Sequence, residues 1–180
     1  MTKYLALLRG INVGGHKKIL MADLRELFEQ NGFTDVKSYI QSGNVVFNSE
    51  IMDETVLTEK IETMIDEKYD FIVPVRIRTA AQMQKIIEDL PFTGSDYLDE
   101  ASKIAITFFD VEPDESQIQE LDKFVFAPEQ LIVSGREAYS HCPGGFARTK
   151  LTNGLIEKKL GVSATSRNLK TFMKMMAMLK

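Results

Sequence analysis

Two parts of the sequence show the same alternation of strand and helix patterns, and this order restricts the folds available to the chain. In the first part, an apolar run over 3–8 precedes residues at helical spacing over 21–31. Two strand patterns, a second helical pattern over 57–68 and a strand pattern over 72–78 follow. The order β-α-β-β-α-β is typical of the split β-α-β, or ferredoxin-like, unit.

The second part begins the same order again after a polar linker over 92–101. A strand, a helix and a strand hairpin are predicted over 103–140. In place of the last strand, we predict helices over 152–160 and 167–179. The sequence therefore predicts an α+β fold of duplicated split β-α-β units, in which the second copy carries a helical C-terminal extension.

The composition limits both the size of the domains and the class of protein. The 180 residues suffice for two small interdependent domains, which we place at 1–91 and 92–180. A net charge of −4 gives no overall basic field for nucleic acid or an anionic membrane. Cys142 is the only cysteine, and its neighbour His141 points to the opposite face of a strand, which disfavours a Cys/His nucleophile. No signal or membrane segment is recognised, so we expect a cytoplasmic protein without disulfides or a metal site.

A glycine-rich segment from Arg9 to about Leu20 is longer than a strand-to-helix connection of about two to six residues requires. An anion site here would combine backbone N–H donors with the charges of Arg9, Lys17 or Lys18. The glycine spacing matches neither a P-loop nor a dinucleotide fingerprint. The alternative is a surface loop whose glycines only satisfy turn geometry. We favour a functional loop, because the second copy has no counterpart to it.

The hairpin Gln41-Ser42-Gly43-Asn44 is expected to lie beside this loop. In a split β-α-β unit, the end of the first strand and the turn between the second and third share one end of the sheet. Positive φ angles would explain Gly43 and Asn44, whereas Gln41 and Ser42 are available to bind a ligand. The loop residues expected to lie near this hairpin are Arg9, Asn12, Gly14 and Gly15.

Residues 164–168 open the last predicted helix, where Thr165 or Ser166 would be a good N-cap. Arg167 would then lie in the first turn, where the helix dipole disfavours a cation. Pairing with a carboxylate or phosphate would explain an arginine there. Helix initiation and anion binding are equal alternatives for this segment.

The polar segments coincide with the motifs of a known family. The chain resembles, over essentially its whole length, an uncharacterised bacterial family catalogued as domain of unknown function 1697. The resemblance rests on Leu8–Gly15 with Met21–Arg25, on Gln41–Phe47 and on Ala164–Asn168. It implies an α+β fold and brings no established activity.

We therefore predict a site for an anionic or nucleotide-like small ligand, formed by the loop 9–18, the Ser42-Gly43 hairpin and the helix start at 165–168. Its chemistry, its cofactors and whether the protein is an enzyme stay open. One alternative is a non-catalytic interaction module or homodimer that uses Met175 and Met178, both expected on the surface. RNA binding is disfavoured, because continuously apolar strands indicate a sheet covered on both faces. The candidate ligand-binding residues are Arg9, Asn12, Gly14, Gly15, Lys17, Gln41, Ser42, Asn44, Thr165, Arg167 and Asn168.

Overall fold

The computed structural model describes residues 1–97 and 99–180. In this part of the chain, eight strands and six α-helices form a mixed α+β fold with two four-stranded antiparallel sheets. The chain divides into two compact units, one of Met1–Lys85 with Lys174–Lys180 and one of Ile86–Met173. The strands are β1 Thr2–Leu8, β2 Thr34–Tyr39, β3 Asn44–Ser49, β4 Val75–Thr79, β5 Ile104–Phe109, β6 Gln130–Ser134, β7 Glu137–His141 and β8 Ala164–Asn168. The helices are α1 Met21–Gln30, α2 Glu54–Tyr69, α3 Ala80–Glu88, α4 Glu115–Asp122, α5 Asn153–Leu160 and α6 Leu169–Leu179.

The sheet of the first unit has the strand order β2-β3-β1-β4, with the apolar strand β1 between two partners. The α1 and α2 helices contribute their apolar residues to the core on one face of this sheet. The packing includes three mutually contacting aromatic rings, those of Phe28, Phe33 and Phe47. Every residue from Tyr4 to Leu8 is buried, as the unbroken apolar run predicts.

The sheet of the second unit has the order β6-β7-β5-β8, in which β5 takes the central place that β1 has in the first. All residues from Ile104 to Phe109 are buried. The α4 and α5 helices pack with the sheet around a core that contains Phe109, Leu121 and Leu160. Neither β1 nor β5 therefore exposes the aromatic platform that RNA binding on a sheet would require.

The prediction that helices replace the last strand of the second unit is wrong. Residues 164–168 form β8, which pairs antiparallel with β5 through Phe108 and Thr165, among other pairs. The N-cap of the final helix is Asn168 rather than Thr165 or Ser166, since its Oδ1 accepts a hydrogen bond from the N–H of Thr171 at 2.8 Å. Pairing with a buried central strand outweighs the weak strand propensity of this short polar segment.

The exposure predicted for Met175 is wrong, whereas Met178 is half-buried. Met175 is fully buried, whereas Met173 is 51% exposed. The buried face of α6 is formed by Phe172, Met175 and Leu179, which lie three and four residues apart. Because the Met175 side chain is buried, it is not available for a homodimer contact.

Candidate functional site

The glycine-rich loop leaves β1 at the end of the sheet where the hairpin between β2 and β3 turns. The backbone N–H of Leu8 donates to the carbonyl of Gly43 at 2.8 Å, and the N–H of Arg9 donates to the carbonyl of Pro74 at 2.9 Å. The loop is therefore held between the hairpin and the segment that leads into β4. The expected proximity of loop and hairpin is found.

Asn12 fastens the loop through its side chain. Its Oδ1 accepts a hydrogen bond from the N–H of Ile19 at 2.9 Å, and its Nδ2 donates to the carbonyls of Ile19 and Gln41 at 2.9 and 2.8 Å. Asn12 itself has a φ of +56°, a conformation that asparagine tolerates better than most residues. Its carboxamide thus joins the two ends of the loop and ties the loop to the hairpin.

Beyond Asn12, the loop forms a miniature hairpin. Val13 and His16 make a β-bridge, with the N–H of His16 donating to the carbonyl of Val13 at 3.0 Å. Gly14 and Gly15 form the tip with φ angles of +59° and +80°, the signs that a type I′ turn requires. Both glycines are exposed, so the tip presents bare backbone to solvent.

The basic side chains of the loop differ in their burial and hydrogen bonding. The Nζ of Lys17 donates to the carbonyl of Ile72 at 2.5 Å, and Lys17 has a φ of +45°. Arg9 is half-buried, while Lys18 and His16 are exposed. Lys17 therefore anchors the loop, and Lys18 presents its charge to solvent.

The hairpin between β2 and β3 has a four-residue turn, 40–43, and Asn44 is not part of it. The positive φ angles are at Ile40 (+51°) and Gly43 (+77°). Asn44 begins β3, is 1% exposed, and donates from Nδ2 to the carbonyl of Tyr39 at 3.0 Å and to the hydroxyl of Ser42 at 3.1 Å. The turn role predicted for Asn44 is wrong, because ladder pairing with Leu7 holds it in the strand.

Gly43 is required by close packing. A Cβ at this position would lie 2.6 Å from Cβ of Leu8 and 2.9 Å from Cδ1 of Ile11. The buried Ile11 side chain therefore lies directly against the hairpin backbone. The absence of a side chain at position 43 is what allows loop and hairpin to pack together.

The third predicted segment, 165–168, lies in the second unit, and its residues alternate between the two faces of β8. Thr165 and Arg167 are buried, and the guanidinium of Arg167 donates to the hydroxyl of Thr165 at 3.0 Å and to the carbonyl of Ser166 at 2.9 Å. Burial lowers the pKa of Arg167 to about 10, so it remains charged at neutral pH. The helix-dipole argument for Arg167 does not apply, because Arg167 lies in a strand.

The sequence did not reveal a histidine–carboxylate hydrogen bond in the second unit. The Nε2 of His141 lies 3.1 Å from a carboxylate oxygen of Glu100, and the imidazole contacts the rings of Phe92 and Tyr97. Hydrogen bonds from Lys103 and His141 lower the pKa of Glu100. Glu100 belongs to the linker over 92–101, whose path no periodicity defines, so no sequence signal pointed to this pair.

Cys142 lies in the hydrophobic core of the second unit. It is fully buried, and burial raises the pKa of its thiol. We expect a thiol reagent to leave the native protein unlabelled and to modify one group per chain in guanidinium, because reactivity requires an accessible thiolate. Labelling followed by mass spectrometry checks this, and rapid reaction of the native protein would contradict it.

Residues 1–97 and 99–180 contain neither a cluster of metal-binding side chains nor a helix that could span a membrane. No group of three or more His, Cys, Asp or Glu side chains in this part of the chain is placed to hold a metal ion. No helix within it has the length and apolar character needed to cross a membrane.

Comparison with known proteins identifies relatives without assigning an activity. A family model described as "Protein of unknown function (DUF1697)" matches residues 1–139. The chain is also similar to a solved structure, that of the conserved bacterial protein SP0830 from Streptococcus pneumoniae, with 29% sequence identity and a TM-score of 0.80. That match covers 99% of each chain. No curated protein matches the chain.

Proposed function

Because the chain belongs to the DUF1697 family of proteins of unknown function, we propose a function from its own residues: it binds a small anionic ligand, such as a phosphorylated metabolite. The site is the end of the first sheet where the loop 9–18 meets the turn 40–43. The residues proposed to contact the ligand are Arg9, Gly14, Gly15, Lys18, Gln41 and Ser42.

The observation that carries this proposal is a long, fastened loop where the fold needs only a short connection. In the first unit, residues 9–20 connect the first strand to the first helix, whereas residues 110–114 make the corresponding connection in the second. Residues in the left-handed region cost about 1–3 kcal/mol each when they are not glycine, and such strain collects at functional sites. Asn12 and Lys17 both have positive φ angles here. A loop that served only as a connection would need neither the strain nor the Asn12 hydrogen bonds.

The charge of the segment favours an anion. The first acidic residue of the chain is Asp23, so the preceding segment carries the cationic side chains of Arg9, Lys17 and Lys18 and contains no carboxylate. The exposed backbone at Gly14 and Gly15 adds N–H donors, which bind anions readily in loops of this type. The proposed site is thus a local basic region on a chain whose net charge is −4.

Several residues first assigned to the ligand are assigned to the scaffold instead. The polar groups of Asn12, the Nδ2 of Asn44 and the ammonium of Lys17 are hydrogen-bonded within the first unit. Thr165, Arg167 and Asn168 belong to the second unit, and the first two are buried. None of these side chains is included among the proposed ligand contacts.

A thermal-shift screen against phosphate, pyrophosphate, glucose 6-phosphate, AMP and ATP tests the proposal. A ligand at about a hundred times its dissociation constant stabilises the native state by about 2.7 kcal/mol, which raises the unfolding midpoint by several degrees. We expect Lys18→Glu to weaken binding by about tenfold, or about 1.4 kcal/mol. Lys68→Glu, which reverses an exposed charge at the end of α2, serves as the matched control and is expected to bind normally.

A flat screen, or equal affinity in Lys18→Glu and the parent, would contradict the anion site. Val13 lies in the loop and Leu20 just after it, and they are 63% and 70% exposed, which suits a protein-interaction surface. The second candidate function is therefore a non-catalytic interaction module that uses this loop. It predicts no ligand response and a loss of partner binding in Val13→Ser with Leu20→Ser.

We also infer that the two units are copies of one split β-α-β, ferredoxin-like fold. The strand orders β2-β3-β1-β4 and β6-β7-β5-β8 are the same when each unit is numbered from its own first strand. In both units, a helix begins directly after the fourth strand. Duplication accounts for both features, and it makes the loop 9–18 an addition to the first copy.

A further inference from the structure

The second unit contains a cavity between its sheet and the segment that leads into α5. The cavity has a volume of about 390 Å³. Ligand pockets in proteins have volumes of about 300–1,000 Å³, so this one suffices for a small molecule. Thr107 and Ser140 lie at the sheet side, and Thr152 is exposed to solvent.

The strand registers show why the second unit has this cavity. Tyr4 pairs with Phe47 on one neighbouring strand and with Thr79 on the other. Ala105, its counterpart in the second sheet, pairs with Ser140 and Asn168. At these positions, the stacked rings of Tyr4 and Phe47 are thus exchanged for a methyl and a hydroxymethyl group.

The same exchange occurs on the fourth strand. Ile77, which pairs with Ala6, corresponds to Ser166, which pairs with Thr107. Tyr4, Phe47 and Ile77 belong to the buried core of the first unit. Their counterparts Ala105, Ser140 and Ser166 line the cavity of the second. The cavity therefore lies where large core side chains have been exchanged for small, mostly hydroxyl-bearing ones.

The polar groups of the lining are neutral. They are hydroxyls and carboxamides, and none of the described residues that line the cavity carries a formal charge. An ionised ligand group buried among them would lack a charged partner, which is costly in a protein interior. The polar lining side chains are those of Thr107, Ser140, Thr149, Thr152, Ser166 and the two asparagines 153 and 168.

The two carboxamides are held in fixed orientations. The Ser166 hydroxyl donates to Oδ1 of Asn153 at 2.5 Å, so its 2.7 Å contact with Thr107 is a bond donated by the threonine. The Oδ1 of Asn168 accepts from the N–H of Thr171 at 2.8 Å. In both asparagines the oxygen is thus engaged within the protein, and the NH₂ group is the part that can donate to a ligand.

We propose that this cavity binds an uncharged sugar or sugar-like polyol. Hydroxyls both donate and accept hydrogen bonds, so they match the hydroxyls of a polyol, and the amide NH₂ groups supply further donors. The apolar lining of Phe146, Leu151 and Ile156 suits the C–H faces of a sugar ring. The proposal is independent of the anion site, since every residue of this lining belongs to the second unit.

Titration calorimetry of the full chain with D-glucose, D-ribose and myo-inositol at millimolar concentration tests the proposal. We expect at least one of these probes to bind, and Asn168→Asp to weaken binding by at least about tenfold. Aspartate keeps an oxygen that can cap α6, and it is a favoured N-cap residue, so the variant is expected to fold. Asn48→Asp, in β3 of the first unit, is the matched control and is expected to bind normally.

A second variant separates loss of binding from loss of folding. Ser140→Phe introduces the residue present at the corresponding position of the first unit and should fill the cavity, so binding should vanish while the circular dichroism spectrum stays native. Lys18→Glu should bind the neutral probes as the parent does. Absence of heat with all three probes, or unchanged affinity in folded Asn168→Asp or Ser140→Phe, would overturn the proposal.

Discussion

Replacing Gly43 by alanine is expected to lower the free energy of unfolding by about 3 kcal/mol. The residue has a φ of +77°, which costs an L-residue about 1–2 kcal/mol. The added Cβ would also lie 2.6 Å from Cβ of Leu8, and such overpacking costs about 1–3 kcal/mol. Thermal unfolding followed by circular dichroism should show a midpoint lowered by about 6–12 °C.

The control for this prediction is Gly135→Ala, in the turn between β6 and β7. Its φ of +58° is similarly strained, but no atom lies within 4 Å of the Cβ position. We expect it to destabilise by about 1–2 kcal/mol, so the difference between the two variants measures the steric conflict alone. Equal destabilisation by both would show that Leu8 and Ile11 move aside at little cost.

Arg167→Ala is expected to lower the free energy of unfolding of the second unit by about 3 kcal/mol, and not merely to weaken the binding of a ligand. The side chain is 8% exposed and donates two hydrogen bonds within β8. Removal of a large buried side chain costs about 2–5 kcal/mol, and the loss of charged hydrogen bonds leaves polar groups unsatisfied. Urea unfolding followed by circular dichroism measures the change.

Arg148→Ala provides the matched control, because Arg148 is exposed on the loop before α5. Surface substitutions of this kind usually change stability by less than about 0.5 kcal/mol. Arg167→Lys keeps the charge but not the planar donor fork, so its stability should lie between those of the parent and of Arg167→Ala. A native-like stability of Arg167→Ala would mean that the burial of this arginine contributes little to the fold.

Local patterns in the sequence were sufficient for most of the elements. The spacing of Thr79 and Gln82 in the sequence is typical of a capping box. The box is present, with the N–H of Gln82 donating to the Thr79 hydroxyl at 3.2 Å and the Gln82 side chain accepting from the N–H of Thr79. Gly32 follows the C-cap residue Asn31 of α1 and has a φ of +88°, the left-handed conformation that glycine commonly adopts just after a helix. These features depend on neighbours only a few residues away, which the sequence displays directly.

Residues 164–168 show where such reasoning fails. Their threonine, serine and asparagine have the side chains of helix caps, and only β5, distant in sequence, makes them a strand. Both segments are present in the sequence, but no local pattern indicates that residues 164–168 pair with β5. The same limit applies to Asn44, which was assigned to a turn and lies in β3 opposite Leu7.

The candidate site could be predicted only in part from the sequence, for a related reason. The sequence indicates that Asn12 and Lys17 lie in an unusual loop, but not which atoms their side chains bind. Three hydrogen bonds assign the Asn12 carboxamide to the scaffold, and one assigns the ammonium of Lys17 to Ile72. Residue type and position in the sequence indicated where the candidate site lies. The hydrogen bonds of the structure were needed to separate scaffold residues from proposed ligand contacts.

The Asn12 carboxamide also determines where this chain can accept inserted residues. Residues on both sides of the loop are tied down, by Asn12 at its base and by the Val13–His16 bridge above it. The peptide bond between Gly14 and Gly15 is thus the outermost point of a supported stem. Extra residues inserted there would extend into solvent without disturbing the sheet. We therefore expect length differences among relatives in this loop to occur at that bond, and a short epitope inserted there to remain accessible to an antibody on the folded protein.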